Sequence, residues 1–184
     1  MGSHLSRSSV SLRRFALGDI AAVHGWFNDK EATKTLVGQR KTFSEEEAEA
    51  WTRSAIEDGE DRKYAILVEG TDEPVGFTAL YGLERDSGPE LGALIGGDWR
   101  NRGVGRPAEA LTIAKAFGEF GAHRVYGEIP VFNEAAKSVV ASLGWRYEKT
   151  LPGHGKRDQE SFNCELWSVV PPDFYAAAAD LALD

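Results

Sequence analysis

Gly96-Gly97-Asp98-Trp99-Arg100-Asn101-Arg102-Gly103-Val104-Gly105 is the stretch on which the fold turns. An apolar segment, Leu91 to Ile95, leads into it and reads as a strand. A helix follows, with Ala110, Ile113, Ala114 and Phe117 on one face. Pro107 falls in its first turn, where no N–H is missed, and Gly121 can end it. Strand, glycine loop and helix in that order present free N–H groups and the positive end of a helix dipole to an anion. Arg100, Arg102 and Arg106 add cationic charge to a chain that is otherwise acidic. The ligand implied is a pyrophosphate. The plainer reading is a tight loop whose arginines are simply solvated.

Two pyrophosphate folds can be weighed against this loop. A nucleotide P-loop needs Gly-Lys-Ser/Thr, and Arg106-Pro107 stands there instead. Gly103-Val-Gly105-Arg-Pro-Ala108 does match the dinucleotide pattern G-x-G-x-x-A, with Glu128 twenty residues beyond Ala108. Against it, Gly97 to Arg102 separate the strand from the first motif glycine. The motif also lies mid-chain, and too little chain follows residue 133 for further βαβ units.

Outward from the loop, the amino-terminal side reads as strand, two helices and three strands. Val10 to Phe15 alternates, Asp19 can cap a helix carrying Ile20, Val23 and Phe27, and Ser44-Glu-Glu-Glu47 is a capping box for a helix through Trp51 to Ile56. Tyr64 to Val68, Val75 to Leu83 and Leu91 to Ile95 are strands separated by the turns Gly70 to Pro74 and Ser87-Gly-Pro89. On the carboxyl-terminal side come a strand at Val125 to Ile129 and a helix from an Asn133 cap to Leu143. Two final strands, Trp145 to Lys149 and Phe162 to Val169, flank a polar loop, Gly153 to Asp158. Short turns make neighbouring strands antiparallel, whereas a crossover helix makes the strands on either side of residues 105–120 parallel. The prediction is a mixed α/β fold: a mostly antiparallel sheet of six to seven strands flanked by helices.

The chain has 184 residues, a length that favours one domain. Met1 to His4 reads as a vector-derived leader, residues 5–170 as a single domain and residues 171–184 as a helical tail. The formal charge of −8 disfavours nucleic acid or an anionic membrane as partner, and favours cationic small molecules or basic peptides. One cysteine, Cys164, excludes an internal disulfide and a cysteine zinc cluster. Its alternation with Phe162 and Leu166 marks it as a core residue rather than a nucleophile. The four histidines have no metal-ligand spacing, so no metal is assigned. No uncharged apolar run reaches the ~18–20 residues of a membrane helix. No secretory leader is visible, and a cytoplasmic location is expected.

The sequence resembles the GNAT superfamily of acyl-CoA-dependent N-acetyltransferases. Arg100-Asn-Arg-Gly103-Val-Gly105 fits that family's Gln/Arg-x-x-Gly-x-Gly/Ala signature, and Asn133 with Ala136, Val139, Leu143, Gly144 and Trp145 resembles its later Asn…Gly-Phe segment, Trp replacing Phe. Trp26-Phe-Asn-Asp29, Thr42 to Ala48, Trp51 and Glu90-Leu-Gly92 are similar to the branch that acetylates ribosomal-protein N-termini. The resemblance covers Leu12 to Val170. It implies acetyl-CoA as cosubstrate, held by Leu94, Ile95, Gly96, Arg100, Arg102, Gly103, Val104, Gly105, Arg106 and Asn133. It also implies direct transfer to a primary amine of a small molecule, peptide or protein N-terminus, and by analogy a homodimer. Alternatives of other kinds are an aminoacyl-tRNA-dependent acyltransferase, against which the charge speaks, and a non-catalytic CoA-binding module.

Acetyl transfer needs a base for the amine, donors for the oxyanion and a proton for the thiolate. The resemblance points to Glu90 and Glu128 as bases. It points to a backbone N–H between Leu94 and Gly96, at a strand bulge, as the oxyanion donor. The positions where the family carries a proton donor, seven and three residues after the asparagine, are Val140 and Ala136 here. Neither can donate, which leaves Tyr126, Tyr147, Ser138 or water, or departure of the thiolate without a side-chain acid. Trp26, Trp51 and Trp99, with the polar loop at residues 153–158, are candidates for the acceptor pocket.

Overall fold

A computed structural model describes residues 10–37, 42–57, 59–157, 160–181 and 183. The leader Met1–His4 and Asp158 lie outside the described residues. Among the described residues the elements run β1 (Val10–Arg14), α1 (Ile20–Asn28), α2 (Lys30–Thr33), α3 (Glu45–Ile56), β2 (Arg62–Val68), β3 (Gly76–Tyr81) and β4 (Glu90–Ile95). They continue with α4 (Gly105–Gly118), β5 (Val125–Pro130), α5 (Glu134–Ser142), β6 (Arg146–Arg157), β7 (Glu160–Val169) and α6 (Pro171–Ala177). The seven strands form one sheet in the order β1-β2-β3-β4-β5-β7-β6. All neighbours are antiparallel except β4 and β5. This is the mixed, mostly antiparallel architecture that the sequence predicts.

The sheet separates two apolar layers. On one face α1 and α3 pack Val23, Trp26, Ala48 and Ala55 against Phe77, Ala79 and Leu94 of β3 and β4. On the other face Ile113 and Phe117 of α4, Val140 and Leu143 of the α5 region and Phe174 of α6 pack against Leu80 and Val125. Alternation along the strands therefore sends Tyr81, Glu90 and Gly92 towards the α1/α3 face and Leu91 and Ala93 towards the α4 face. A buried hydrogen bond at 2.6 Å between Thr78 and Thr112 ties β3 to α4.

Local chemistry explains most helix ends. Ser44 Oγ accepts the Glu47 N–H at 3.2 Å while Glu47 Oε2 accepts the Ser44 N–H at 2.9 Å, the capping box read from the sequence. Asn133 Oδ1 accepts the Ala136 N–H at 3.2 Å and caps α5. Asp19 differs from expectation. It precedes α1 but makes no capping bond to it. The Arg13 guanidinium holds both its oxygens, at 2.7 and 2.8 Å, and the Ala16 N–H donates at 2.9 Å. Burial by itself would raise the Asp19 pKa, but these donors outweigh it and hold the carboxyl below its ordinary value.

Three further expectations are corrected. The segment 153–157, expected as loop, is strand: β6 and β7 form a long hairpin with register shifts between Tyr147 and Lys149 and between Leu151 and Gly155. Cross-strand hydrogen bonds there override the glycines. The carboxyl-terminal helix is shorter than read, opening at Pro171-Pro172 and ending at Ala177. Phe174 is fully buried against Phe117, so this helix is part of the core. Finally, β3 and β4 pair from Gly76↔Ile95 to Tyr81↔Glu90 without a register shift, so β4 carries no bulge in that ladder.

Candidate active site

The parallel strands β4 and β5 meet at one residue pair, Glu90↔Tyr126, where the Tyr126 N–H donates to the Pro89 carbonyl at 3.1 Å. Beyond that pair they diverge. The Gly96 N–H donates to Val75 at 2.8 Å, on the β3 side. Alternation then turns the backbone groups of Ala93 and Ile95 into the gap, and those of Leu94 and Gly96 towards β3. Of the three residues expected to furnish the oxyanion donor, Ile95 thus lies on the open edge.

A cavity of about 210 Å³ fills the divergence and passes between the sheet's two faces. Its lining brings together Glu90 and Glu128, both predicted bases, with Asn133, Ala136 and Val140. Phe77, Tyr81 and Thr35–Val37 wall it on the α1/α3 side; Glu109, Val140 and Trp145 lie on the α4 side. Glu90 is carried above its ordinary pKa first by burial and then by the negative charge of Glu128. His154 Nε2 reaches Glu128 Oε2 at 2.7 Å across the hairpin. Because residues 153–157 are strand, His154 is held against Glu128 rather than free in a loop. The hairpin is anchored further along, where Arg157 donates to the Lys34 carbonyl.

The glycine loop sits at the open end of the gap. Asn101 and Gly103 adopt left-handed backbone, φ 59° and 81°, on either side of Arg102. Such alternation groups N–H vectors into an anion-binding concavity, and α4 opens immediately after it. Gly97 allows a close approach: a Cβ there would lie 2.8 Å from Asp29 Oδ2. That carboxylate accepts from Arg100 Nη2 at 2.9 Å and pins the loop to the end of α1. Arg102 lies over the Trp99 ring at 5.3 Å. Arg106 is drawn away from the loop, donating to Asp180 at 2.9 and 3.3 Å and to the Ala177 carbonyl at 3.3 Å.

These parts fit acetyl-CoA. The open β4 edge offers N–H and C=O groups to an amide-rich arm, the loop and helix end suit a pyrophosphate, and the cavity has room for a thioester. Among the described residues no group of three or more His, Cys, Asp or Glu is placed to hold a metal ion. No described helix is long and apolar enough to cross a membrane.

The other candidates separate cleanly. Trp26 and Trp51 pack in the aromatic core around Phe77 and do not line the cavity, nor does Trp99. Cys164 is fully buried. Tyr126, Tyr147 and Ser138 are absent from the cavity lining: Tyr126 accepts from Arg85 at 3.2 Å, and Tyr147 is 51% exposed, bonded to Thr150. Sequence reading missed Glu109 and Tyr81, and named His154 only as part of a loop. For Glu109 the available signal was a carboxylate flanked by Ala108 and Ala110, on the apolar side of its helix.

Comparison with known proteins agrees with this geometry. Residues 9–146 match the family model of the acetyltransferase (GNAT) domain. No curated protein matches the chain. Among solved structures, a spermidine N-acetyltransferase from Vibrio cholerae in complex with CoA and spermine superposes with a TM-score of 0.82 at 17% identity, over 91% of this chain and 98% of that one. A GNAT-family acetyltransferase from Bacillus anthracis gives 0.76 at 19% identity, over 88% and 95%. Neither lends support to the resemblance with the ribosomal-protein branch. A family signature borne on the open strand edge, the αL loop and the helix that follows makes this chain a member of the GNAT acetyltransferase family, an acetyl-CoA-dependent N-acetyltransferase.

Proposed function

We propose that the chain acetylates a primary amine of a small polycation, the polyamines being the class that fits best. The observation that carries this reading is the placement of Glu90 and Glu128 side by side on the α1/α3 side of the β4/β5 gap. Two carboxylates suit an acceptor with more than one positive centre, and a formal charge of −8 steers cations inward. The Vibrio cholerae neighbour, which binds spermine, supports the same class.

Acetyl-CoA supplies a thioester carbonyl and a thiolate leaving group. Glu90, with its raised pKa, takes a proton from the acceptor ammonium, directly or through one water, so that the neutral amine can attack. Glu128, braced by His154, holds a second cationic centre and fixes the acceptor's direction. The Ile95 and Ala93 edge of β4 orients the acyl arm and supplies the oxyanion donor. Gly103, Val104, Gly105 and Arg106 contact the pyrophosphate through backbone N–H groups. Arg100 acts by fixing the loop's shape through Asp29, Arg102 adds positive charge beside it, and Asn133 shapes the far wall. No cysteine or serine is among the described lining residues, and transfer is direct within a ternary complex.

The test is thiol release from acetyl-CoA with spermidine, spermine, an amino sugar and a peptide with a free N-terminus. Polyamines should exceed the peptide in kcat/KM by at least about tenfold. A peptide preferred over every small amine overturns the acceptor class.

A further inference from the structure

We propose that Glu109 is the proton donor to the departing CoA thiolate, acting from the α4 side of the cavity, opposite Glu90. The inference rests on the acetyl-transfer reading and supplies the group that Val140 and Ala136 cannot.

Three observations converge on Glu109. It is 8% exposed, its Oε2 has no hydrogen-bond partner, and the residue lines the cavity in the β4/β5 gap. A carboxyl so placed inside a protein is costly, and burial alone pushes its pKa up to about 8. It is therefore a neutral acid at physiological pH. Nothing structural rewards it: the same helix face carries Ala108, Thr112, Ile113 and Ala116, all buried, and an apolar side chain would pack there without desolvation.

Position supplies the rest. Val140 and Ala136, where the GNAT family carries its Tyr or Ser, line the same cavity as Glu109. Glu90 and Tyr81 approach the gap from the opposite face of the sheet. An amine deprotonated on the Glu90 side attacks from that side, and the sulfur leaves towards α4. Among the described residues, the other titratable groups lining the cavity are Tyr81 on β3, Glu90 on β4 and Glu128 on β5, with no cation among them. Among the described residues, Glu109 is the one lining acid on the α4 side.

The step balances. The C–N bond forms and the C–S bond breaks. The acceptor ammonium first loses one proton through Glu90 to solvent; as the bonds exchange, Glu90 takes the second nitrogen proton and the sulfur takes the proton of the Glu109 carboxyl. Glu109, left as a carboxylate, then recovers a proton from solvent as the cavity opens, while Glu90 releases one. An acid with a pKa near 8 matches a thiol of ordinary pKa about 8.5, so this transfer is close to thermoneutral.

The variants Glu109→Gln and Glu109→Leu test it, with thermal melting confirming that each folds. CoA binding is measured by calorimetry at pH 8 in two buffers of different ionisation enthalpy. CoA filling the cavity removes the remaining water beside Glu109 and raises its pKa further, so the wild type takes up part of a proton on binding. Neither variant does. In steady state, kcat falls about 100-fold in Glu109→Leu with KM little changed, and the alkaline decline of kcat is lost in both variants. Variants that keep wild-type kcat and its alkaline limb overturn the assignment, as does a wild type that binds CoA without proton uptake. Failure of the acetyl-transfer reading looks different: no amine is turned over, while the Glu109-dependent uptake persists and still places Glu109 against the cofactor.

Discussion

Glu90 and Glu128 show how much a single residue's chemistry depends on its neighbour. Each was readable as a candidate base, but their mutual effect was not, because the predicted parallel crossover carries no register, and it is the pairing of Glu90 with Tyr126 that brings Glu128 near. The Glu90 pKa is raised by burial and by Glu128, so the acidic limb of kcat/KM should lie above the usual carboxylate range. Replacing Glu128 by Gln removes the like charge, favours the ionised form of Glu90 and moves that limb to lower pH. Replacing Glu90 by Gln should lower kcat by about 10²–10⁴-fold while CoA binding by calorimetry stays unchanged. At the same scale, the arginines were legible as a cationic set but not as individuals. Asp29 and Asp180 each capture one, and both partners lie more than 70 positions away in sequence, at |i−j| of 71 and 74.

At the scale of elements, helix ends and the glycine loop were the most readable features, because their signals are local. The Ser44 capping box spans four residues, and replacing Ser44 by Ala should cost about 1 kcal/mol in urea or thermal unfolding. Gly103 sits at φ 81°, a conformation that a Cβ disfavours by roughly 1–2 kcal/mol. Although no heavy atom lies within 4 Å of the added Cβ, Gly103→Ala should therefore lower stability by about 1–2 kcal/mol in unfolding and, as the loop relaxes away from its left-handed shape, weaken CoA binding in calorimetry by up to about tenfold. The β6–β7 hairpin was the least readable element. Gly153 and Gly155 look like loop punctuation, yet the ladder with β7 runs through them, bulged between Leu151 and Gly155. The consequence is chemical, since the extended hairpin is what carries His154 to Glu128.

For the molecule as a whole, the buried Glu109 carboxyl leaves a signature in stability. Its folded pKa is about 8, against an ordinary 4.5. Between those values the folded state holds a proton that the unfolded state has released, so stability falls as pH rises from about 4.5 to 8 and levels off above. The full span corresponds to something on the order of 5 kcal/mol. Glu109→Leu should flatten that part of the curve and melt higher than wild type near pH 7.5, as read by thermal denaturation across pH. Phe174 offers the opposite case. Fully buried beneath α4, it should cost about 3–5 kcal/mol when replaced by Ala, which shows that the carboxyl-terminal helix belongs to the core.

The alternation of strands and helices, the antiparallel meander with one parallel crossover and the glycine loop between strand and helix were written in the residue pattern, as was the choice of Glu90 and Glu128 as candidate carboxylates. All of these rest on short-range rules: side-chain period, turn chemistry, helix caps and the handedness of a crossover. Long-range packing settled that β4 and β5 part after one residue pair, that Trp26 and Trp51 are core rather than pocket, and that Arg106 serves the tail. It also decided that a glutamate on the apolar face of α4 looks into the same cavity as Glu90 from the other side of the sheet. Those facts depend on which surfaces meet across the sheet, and contacts between distant segments leave no period or spacing in a single chain.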